Sequence, residues 1–146
     1  MVYSFEDVVA TLVGPGVTAS LGAGSANAKE GISVEFLEAK DSLLMGADGS
    51  GVHSLRANQS ARVTVRLLKT SPMNSVLQTA YDYQRSSTLF WGQNVLTVSN
   101  PATGDDYPCE QVAFEQFPAI TWAEDANINE WRFLAVQADP ILGVGI

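Results

Sequence analysis

With one cysteine, Cys109, and one histidine, His53, the sequence has few of the side chains from which metal centres and nucleophilic sites are built. A lone cysteine cannot close an intramolecular disulfide, which agrees with a reducing compartment and leaves Cys109 as a small strand residue. One histidine and one cysteine do not make a zinc site. His53 lies between Val52 and Ser54 with no acid placed to orient it as a general base. Long apolar runs are missing too. No segment approaches the about 20 apolar residues a membrane-spanning helix needs. The opening MVYSFEDVV has neither the basic start nor the apolar centre of a signal peptide, so neither insertion nor export is expected.

Charge is also scarce. Asp, Glu, Lys and Arg make up 16% of the chain, against a typical value of about 25%, which hints at extensive subunit contact. The net charge of −8 disfavours a partner bound by neutralising phosphates. Acids dominate residues 1–50, where the only cations are Lys29 and Lys40, and residues 91–146, where Arg132 is the only one. Residues 51–90 reverse the balance, with Arg56, Arg62, Arg66, Lys69 and Arg85 against Asp82. A self-complementary surface would carry such an asymmetry; pairing within the chain is the alternative. The small-residue stretch GAGSANAK (22–29) matches neither a Walker loop nor GxGxxG and reads as a flexible loop. Asp105-Asp106 and Glu124-Asp125 lack calcium-loop spacing and read as turn acids. No cofactor, metal or catalytic constellation is expected; a carboxylate hydrolase would have to draw on a pair among Glu35, Glu110 and Glu115.

What is present is clearest between Ser60 and Ser87. Val63, Val65 and Leu67 alternate with Arg62, Thr64 and Arg66, the period of a half-buried strand. Ser71 then offers an N-cap hydroxyl and Pro72 a first helical residue that needs no N–H. Met73, Val76, Leu77, Ala80, Tyr81 and Gln84 follow helical spacing, predicting a helix over about 72–86. Around it the sequence predicts short strands in VVATLV, Val17 to Leu21, Ile32 to Leu37, Asn94 to Ser99, Gln111 to Phe117, Ile120 to Trp122 and Glu130 to Val136. Phe90 and Trp91 are expected to close the helix onto the sheet.

Leu43 to Met45 and Val52 to Leu55 flank GADGSG and predict an extended hairpin arm at about 40–58. Such a ribbon is marginal alone and should lie on something, its own sheet or a neighbour. The apolar tail DPILGVGI (139–146) is expected to dock. Together these predict one domain over 1–146, a mainly β antiparallel sandwich or barrel with one flanking helix and a long arm.

YSFEDVVATLVGPG, GADGSGVHS, RVTVRLLKTSPMNSVL, WGQNVLTVSNPATGD and NEWRF resemble the tail tube proteins of contractile-tailed bacteriophages over nearly the whole chain. The LLKTSPxN corner and the WGQNxxTVxNPxTGD segment are the most specific parts. The resemblance implies a structural protein, similar in fold to the type VI secretion tube protein. It implies hexameric rings stacked into a hollow tube inside a contractile sheath, assembled in the host cytoplasm and carried in the virion. Partners would be further copies of the chain, the sheath, baseplate and tail terminator proteins, and tape measure protein and genomic DNA in the lumen, bound without sequence specificity.

On that reading Glu35 and Glu115 first, then Glu30, Glu38 and Glu110, are candidates to face the bore. Like charge there would keep DNA off the wall. The arm, with Asp48, Gly49, Ser50 and His53, would contact a neighbouring subunit, and Arg62, Arg66 and Arg85 would make salt bridges between subunits. A ring protein that starts or ends the tube is one alternative. A monomeric β-sandwich that binds ligand on Tyr3, Trp91, Tyr107 and Trp122 is another.

Overall fold

The alternating strand and the helix it leads into are both present in the computed structural model, which describes residues 2–24 and 26–145. Met1, Ser25 and Ile146, at the two ends of the expected domain and in its small-residue loop, lie outside the described residues. A single 3-10 turn (Phe5–Asp7) precedes β1 (Val9–Gly14), β2 (Val17–Ser20), β3 (Asn27–Phe36), β4 (Asp41–Met45), β5 (Gly51–Leu55) and β6 (Ala61–Leu68). Helix α1 (Met73–Arg85) follows, then β7 (Asn94–Asn100), β8 (Asp105–Gln116) and β9 (Ile128–Ala138). Seven strands form one antiparallel sheet in the order β2-β1-β7-β8-β9-β6-β3, and β4-β5 stand apart as a two-stranded ribbon. The fold is mainly β with one helix, as expected, but β2 and β3 end the sheet without pairing to each other, so it is not closed into a barrel.

Register sets the core. Val63 lies opposite Phe133 and Val65 opposite Trp131, so the apolar faces of β6 and β9 coincide. Phe114 on β8 joins them, its ring centroid 4.9 Å from Phe133 and 5.9 Å from Trp131. Helix α1 lays Leu77, Ala80 and Gln84 on this surface, with Met73 and Tyr81 half-buried beside them. Full burial of a side chain such as Leu77 contributes about 1.5–3 kcal/mol. Val76, at the edge of the stripe, stays exposed.

The corner between β6 and α1 depends on Ser71 and Asn74. The Ser71 hydroxyl accepts from the Met73 N–H at 3.2 Å, and Pro72 at φ −65° already holds a helical conformation. The Asn74 amide donates to the carbonyls of Leu68 and Ser71, while its Oδ1 accepts from Trp131 Nε1 at 2.9 Å. One side chain thereby ties the start of the helix to the end of β6 and to β9.

A second polar fastener lies beneath α1. Gln84 and Asn94, both fully buried, exchange amide hydrogen bonds of 2.8 and 2.7 Å and also donate to the carbonyls of Pro15 and Val112. Gly14 makes room, since a Cβ there would sit 1.8 Å from Asn94 Oδ1. Asn94→Ala would leave Gln84 Oε1 in the core without its donor, while Gln84 Nε2 keeps the Pro15 carbonyl. Chemical denaturation of this variant should show a loss of about 1–3 kcal/mol, the cost of an unsatisfied buried polar group.

Three sequence expectations are corrected. Ile120 to Trp122 forms no strand: past Pro118 the chain leaves the sheet, and Trp122 is 82% exposed with Lys69 Nζ 5.0 Å from its ring centroid. The small-residue loop is shorter than expected, because β3 starts at Asn27 and accommodates Gly31 through a register shift and a φ of +67°. Phe90 and Trp91 are not part of the buried core: Phe90 stacks on exposed Tyr83, and Trp91, 37% exposed, meets the edge of Tyr81.

Cys109 is fully buried on β8, and burial raises its thiol pKa to about 11. The thiol is therefore expected to resist alkylation at pH 8 in the native protein and to react at once in denaturant, as mass spectrometry would read. A raised folded-state pKa stabilises the protein fully below the unfolded value near 9.0. That contribution falls as pH climbs from there towards 11.

Candidate functional site

Three surfaces account for most of the residues that the sequence singles out. The first is the polar face of β3, β6, β9 and β8, opposite the core. Arg62 grips Glu115 with two parallel bonds, Nε to Oε2 at 3.0 Å and Nη2 to Oε1 at 2.9 Å, and its Nη1 lies 3.6 Å from Glu35. The hydrogen bonds and charge of Glu115 raise the Arg62 pKa further above its ordinary value. Arg66 Nη1 donates to Ser33 Oγ at 2.8 Å and its Nε lies 3.6 Å from Glu130, which also takes a 3.0 Å bond from Arg132. Glu35, Glu115 and Glu130 are thus matched by Arg62, Arg66 and Arg132, and the face is balanced in charge. Glu130 carries no local signature, because its role depends on the β6–β9 register that puts it opposite Arg66.

The other named charges are spread more widely. Arg85 pairs with Asp82 on its own helix at 3.7 Å and lies over Tyr81. Glu38 is exposed near the foot of the arm, and Glu110 is exposed on β8. Neither carboxylate makes an ion pair among the described residues. Arg62 sits between Glu35 and Glu115, where a substrate bond would have to lie if these two carboxylates were to act on it.

The second surface is the arm. Leu43 pairs with His53 and Leu44 with Val52, so both faces of the ribbon carry apolar side chains. Every residue from 36 to 58 is exposed, Leu44 at 74% and Leu55 at 87%. The tip is nonetheless well ordered by local chemistry. Asp48 accepts from the Ser50 N–H and hydroxyl at 3.1 and 2.6 Å, which lowers its pKa, and Gly49 supplies a φ of +90°. His53 Nδ1 lies 2.7 Å from Asp41 Oδ2, a partner twelve residues away that only the hairpin register brings near.

The third surface is a groove of about 560 Å³ between the first half of β3 and the β7–β8 turn. Phe5, Ile32, Val34, Val98 and Tyr107 give it apolar surface, and charges of both signs line it too: Lys29, Glu30, Asp105 and Asp106. Tyr3 and Tyr107 meet in this groove, whereas Trp91 lines a separate one and Trp122 stands on its own loop. The four aromatics do not form one platform. The tail passes along one side: Ile141 and Asp106 exchange backbone bonds of 2.8 and 2.7 Å, and the Gly143 N–H donates to Asp105.

No curated protein sequence matches the chain. Residues 1–143 match the family described as bacteriophage PhiTE tail tube protein. The chain belongs to this phage tail tube family. Tail tube proteins are structural parts of the virion, and that is the role of this chain.

The fold is shared with contractile injection systems. The cap that terminates the tube of the anti-feeding prophage superposes with a TM-score of 0.56 at 8% identity, over 98% of this chain and 92% of that one. A chain from the PVC sheath–tube complex, an extracellular contractile injection system in its extended state, gives 0.51 at 12% identity, over 91% and 88%.

The two motifs most specific to the tail tube resemblance supply the fasteners of this fold. Asn74 closes the LLKTSPxN corner, and Asn94 from WGQN makes the buried amide pair. In NPATGD, the Asn100 carbonyl accepts from the N–H groups of Thr103 and Gly104, with Gly104 at φ +83°, and Asp105 holds the Thr103 hydroxyl.

Proposed function

We propose that this tail tube protein is the repeating subunit of the tube: six copies close a ring, and rings stack into a hollow conduit inside a contractile sheath. The observation that carries the reading is the arm, a ribbon with apolar side chains on both faces that are exposed along its whole length. Isolated two-stranded ribbons are marginal in water, so a neighbouring subunit supplies the missing surface. The unpaired edges of β2 and β3 support the same reading, since ring closure would protect edges that otherwise invite aggregation.

In the assembled tube the conduit passes genomic DNA into the host after holding a tape measure protein. The sheath lies outside it, and baseplate and terminator proteins cap its ends; assembly takes place in the host cytoplasm. Glu30, Glu35, Glu38, Glu110 and Glu115 remain the proposed lumen acids. Because Arg62, Arg66 and Arg132 together balance Glu35, Glu115 and Glu130 on that face, the negative potential of the bore would come mainly from Glu30, Glu38 and Glu110. Arg62, Arg66 and Arg85 already have carboxylate partners within the chain, so any pairing across subunits would be shared with these.

A capping role is the second reading, favoured by the fold shared with the anti-feeding prophage cap. Negative-stain imaging of concentrated purified protein, with sedimentation velocity, separates the two. Tubes of variable length support the repeating subunit, while single rings that never stack support the cap.

A further inference from the structure

Of four surface clefts, three have charged side chains in their lining. The fourth, a trough of about 580 Å³, has none. Its apolar surface comes from Leu37, Trp91, Ala113, Leu134 and Val136, the last 61% exposed. Glu38 and Glu110 adjoin lining residues in sequence without lining the trough themselves. Leu134 stands opposite Arg62, so the trough is the uncharged end of the ion-paired sheet face.

Two features suit the trough to an extended partner. Gln93 and Gln111 line it, and their side-chain amides make no hydrogen bond among the described residues. Gln111 is also held at φ +52°, where β8 takes one more residue than β7 between the Leu96–Cys109 and Asn94–Val112 pairs. A bulge with a left-handed residue other than glycine is a costly way to aim a side chain, and such costs gather at binding surfaces.

The arm has the matching chemistry. Ser42 pairs with Ser54 and Leu44 with Val52, so one face of the ribbon is wholly uncharged, while Asp41 and His53 lie on the other. β4 and β5 pair only with each other, which leaves the outer backbone edge of each open to amide donors and acceptors. The larger groove suits this face less well. Covering its Lys29, Glu30, Asp105 and Asp106 with an uncharged ribbon would strip water from charges and return nothing.

The chain's own arm does not fill the trough, since the ribbon is exposed along its whole length. We infer that the arm of one copy lies in the uncharged trough of a second copy, with Leu44 and Val52 on Leu134 and Val136 and with Gln93 and Gln111 on the ribbon edge. Giving and receiving surfaces differ, so each copy can do both, as a ring or stack requires. This assignment rests on the tube reading and names the surface that receives the arm.

The test uses two full-length chains of different tag length in a Cys109→Ala background, one with Ser54→Cys on the arm and one with Ala113→Cys in the trough. Ser99→Cys, in the mixed-charge groove, serves as the control. The chains are co-assembled and treated with a short bismaleimide, and the products are separated on a denaturing gel. The inference predicts a Ser54→Cys to Ala113→Cys dimer that appears only on assembly. It also predicts that Val136→Glu lowers tube yield at least about tenfold, because it buries an unpaired charge, and that Val136→Leu leaves the yield unchanged. Tubes that form without this cross-link, that link to Ser99→Cys instead, or that form undiminished from Val136→Glu overturn the inference and leave the tube reading intact. Failure of the unsubstituted protein to assemble under any condition overturns both.

Discussion

Removing Ala47 to Gly51 is expected to leave a chain that folds normally and no longer polymerises. The deleted residues are the ribbon tip, all exposed, and none of them belongs to the core. Circular dichroism and the thermal midpoint should therefore stay within a few degrees of the parent, since surface changes away from packed features usually stay within about 0.5 kcal/mol. Assembly is another matter, because the arm presents Leu43, Leu44, Met45, Val52 and Leu55 to solvent in the free subunit. If these side chains are the contact between copies, a shortened and misregistered ribbon removes the centre of the interface, where most binding energy is concentrated. Sedimentation should show monomer at concentrations where the parent forms tubes. Normal tubes from the deleted chain would show that the arm is dispensable.

Trp131→Ala is expected to cost about 3–5 kcal/mol, the range for truncating a large aromatic in a packed core. Trp131 is 1% exposed and touches both layers of the fold. Its ring lies 5.9 Å from Phe114 and 5.4 Å from Phe117, and its Nε1 donates to Asn74 in the corner that starts α1. Alanine would open a cavity and leave Asn74 Oδ1 without its donor. Domains of this size are stable by only about 5–15 kcal/mol, so the variant should be close to unfolding at physiological temperature. Trp131→Phe keeps most of the packing and should lose about 0.5–1.5 kcal/mol for the missing hydrogen bond. Urea titration of the pair separates the two contributions; equal midpoints for the parent and Trp131→Ala would contradict the assigned core.

Local pattern revealed the elements whose cause is local. Alternation in ARVTVRLL and the Ser71-Pro72 start gave β6 and α1 to within a residue or two, and GADGSG gave the arm, because period and turn chemistry are written in adjacent residues. What pattern missed depends on register between distant segments. The charge balance around Arg62 needs β6 beside β9 and β8, placing Glu115 fifty-three residues away within bidentate reach. Gln84 looks like a polar residue at the end of a helical stripe, and only the approach of Asn94 makes it a buried amide. Ile120 to Trp122 has strand composition but follows Pro118, and tertiary context leaves it as a loop. The groove was invisible for the same reason, since β3, β7 and β8 line it together.

The most direct test of the repeating-subunit reading is a cryo-electron microscopy reconstruction of the tail of the intact virion. The reading predicts this chain in every ring of the tube, six copies to a ring, from one end of the tail to the other. Density for the chain in a single terminal ring, or nowhere in the tube, would contradict it.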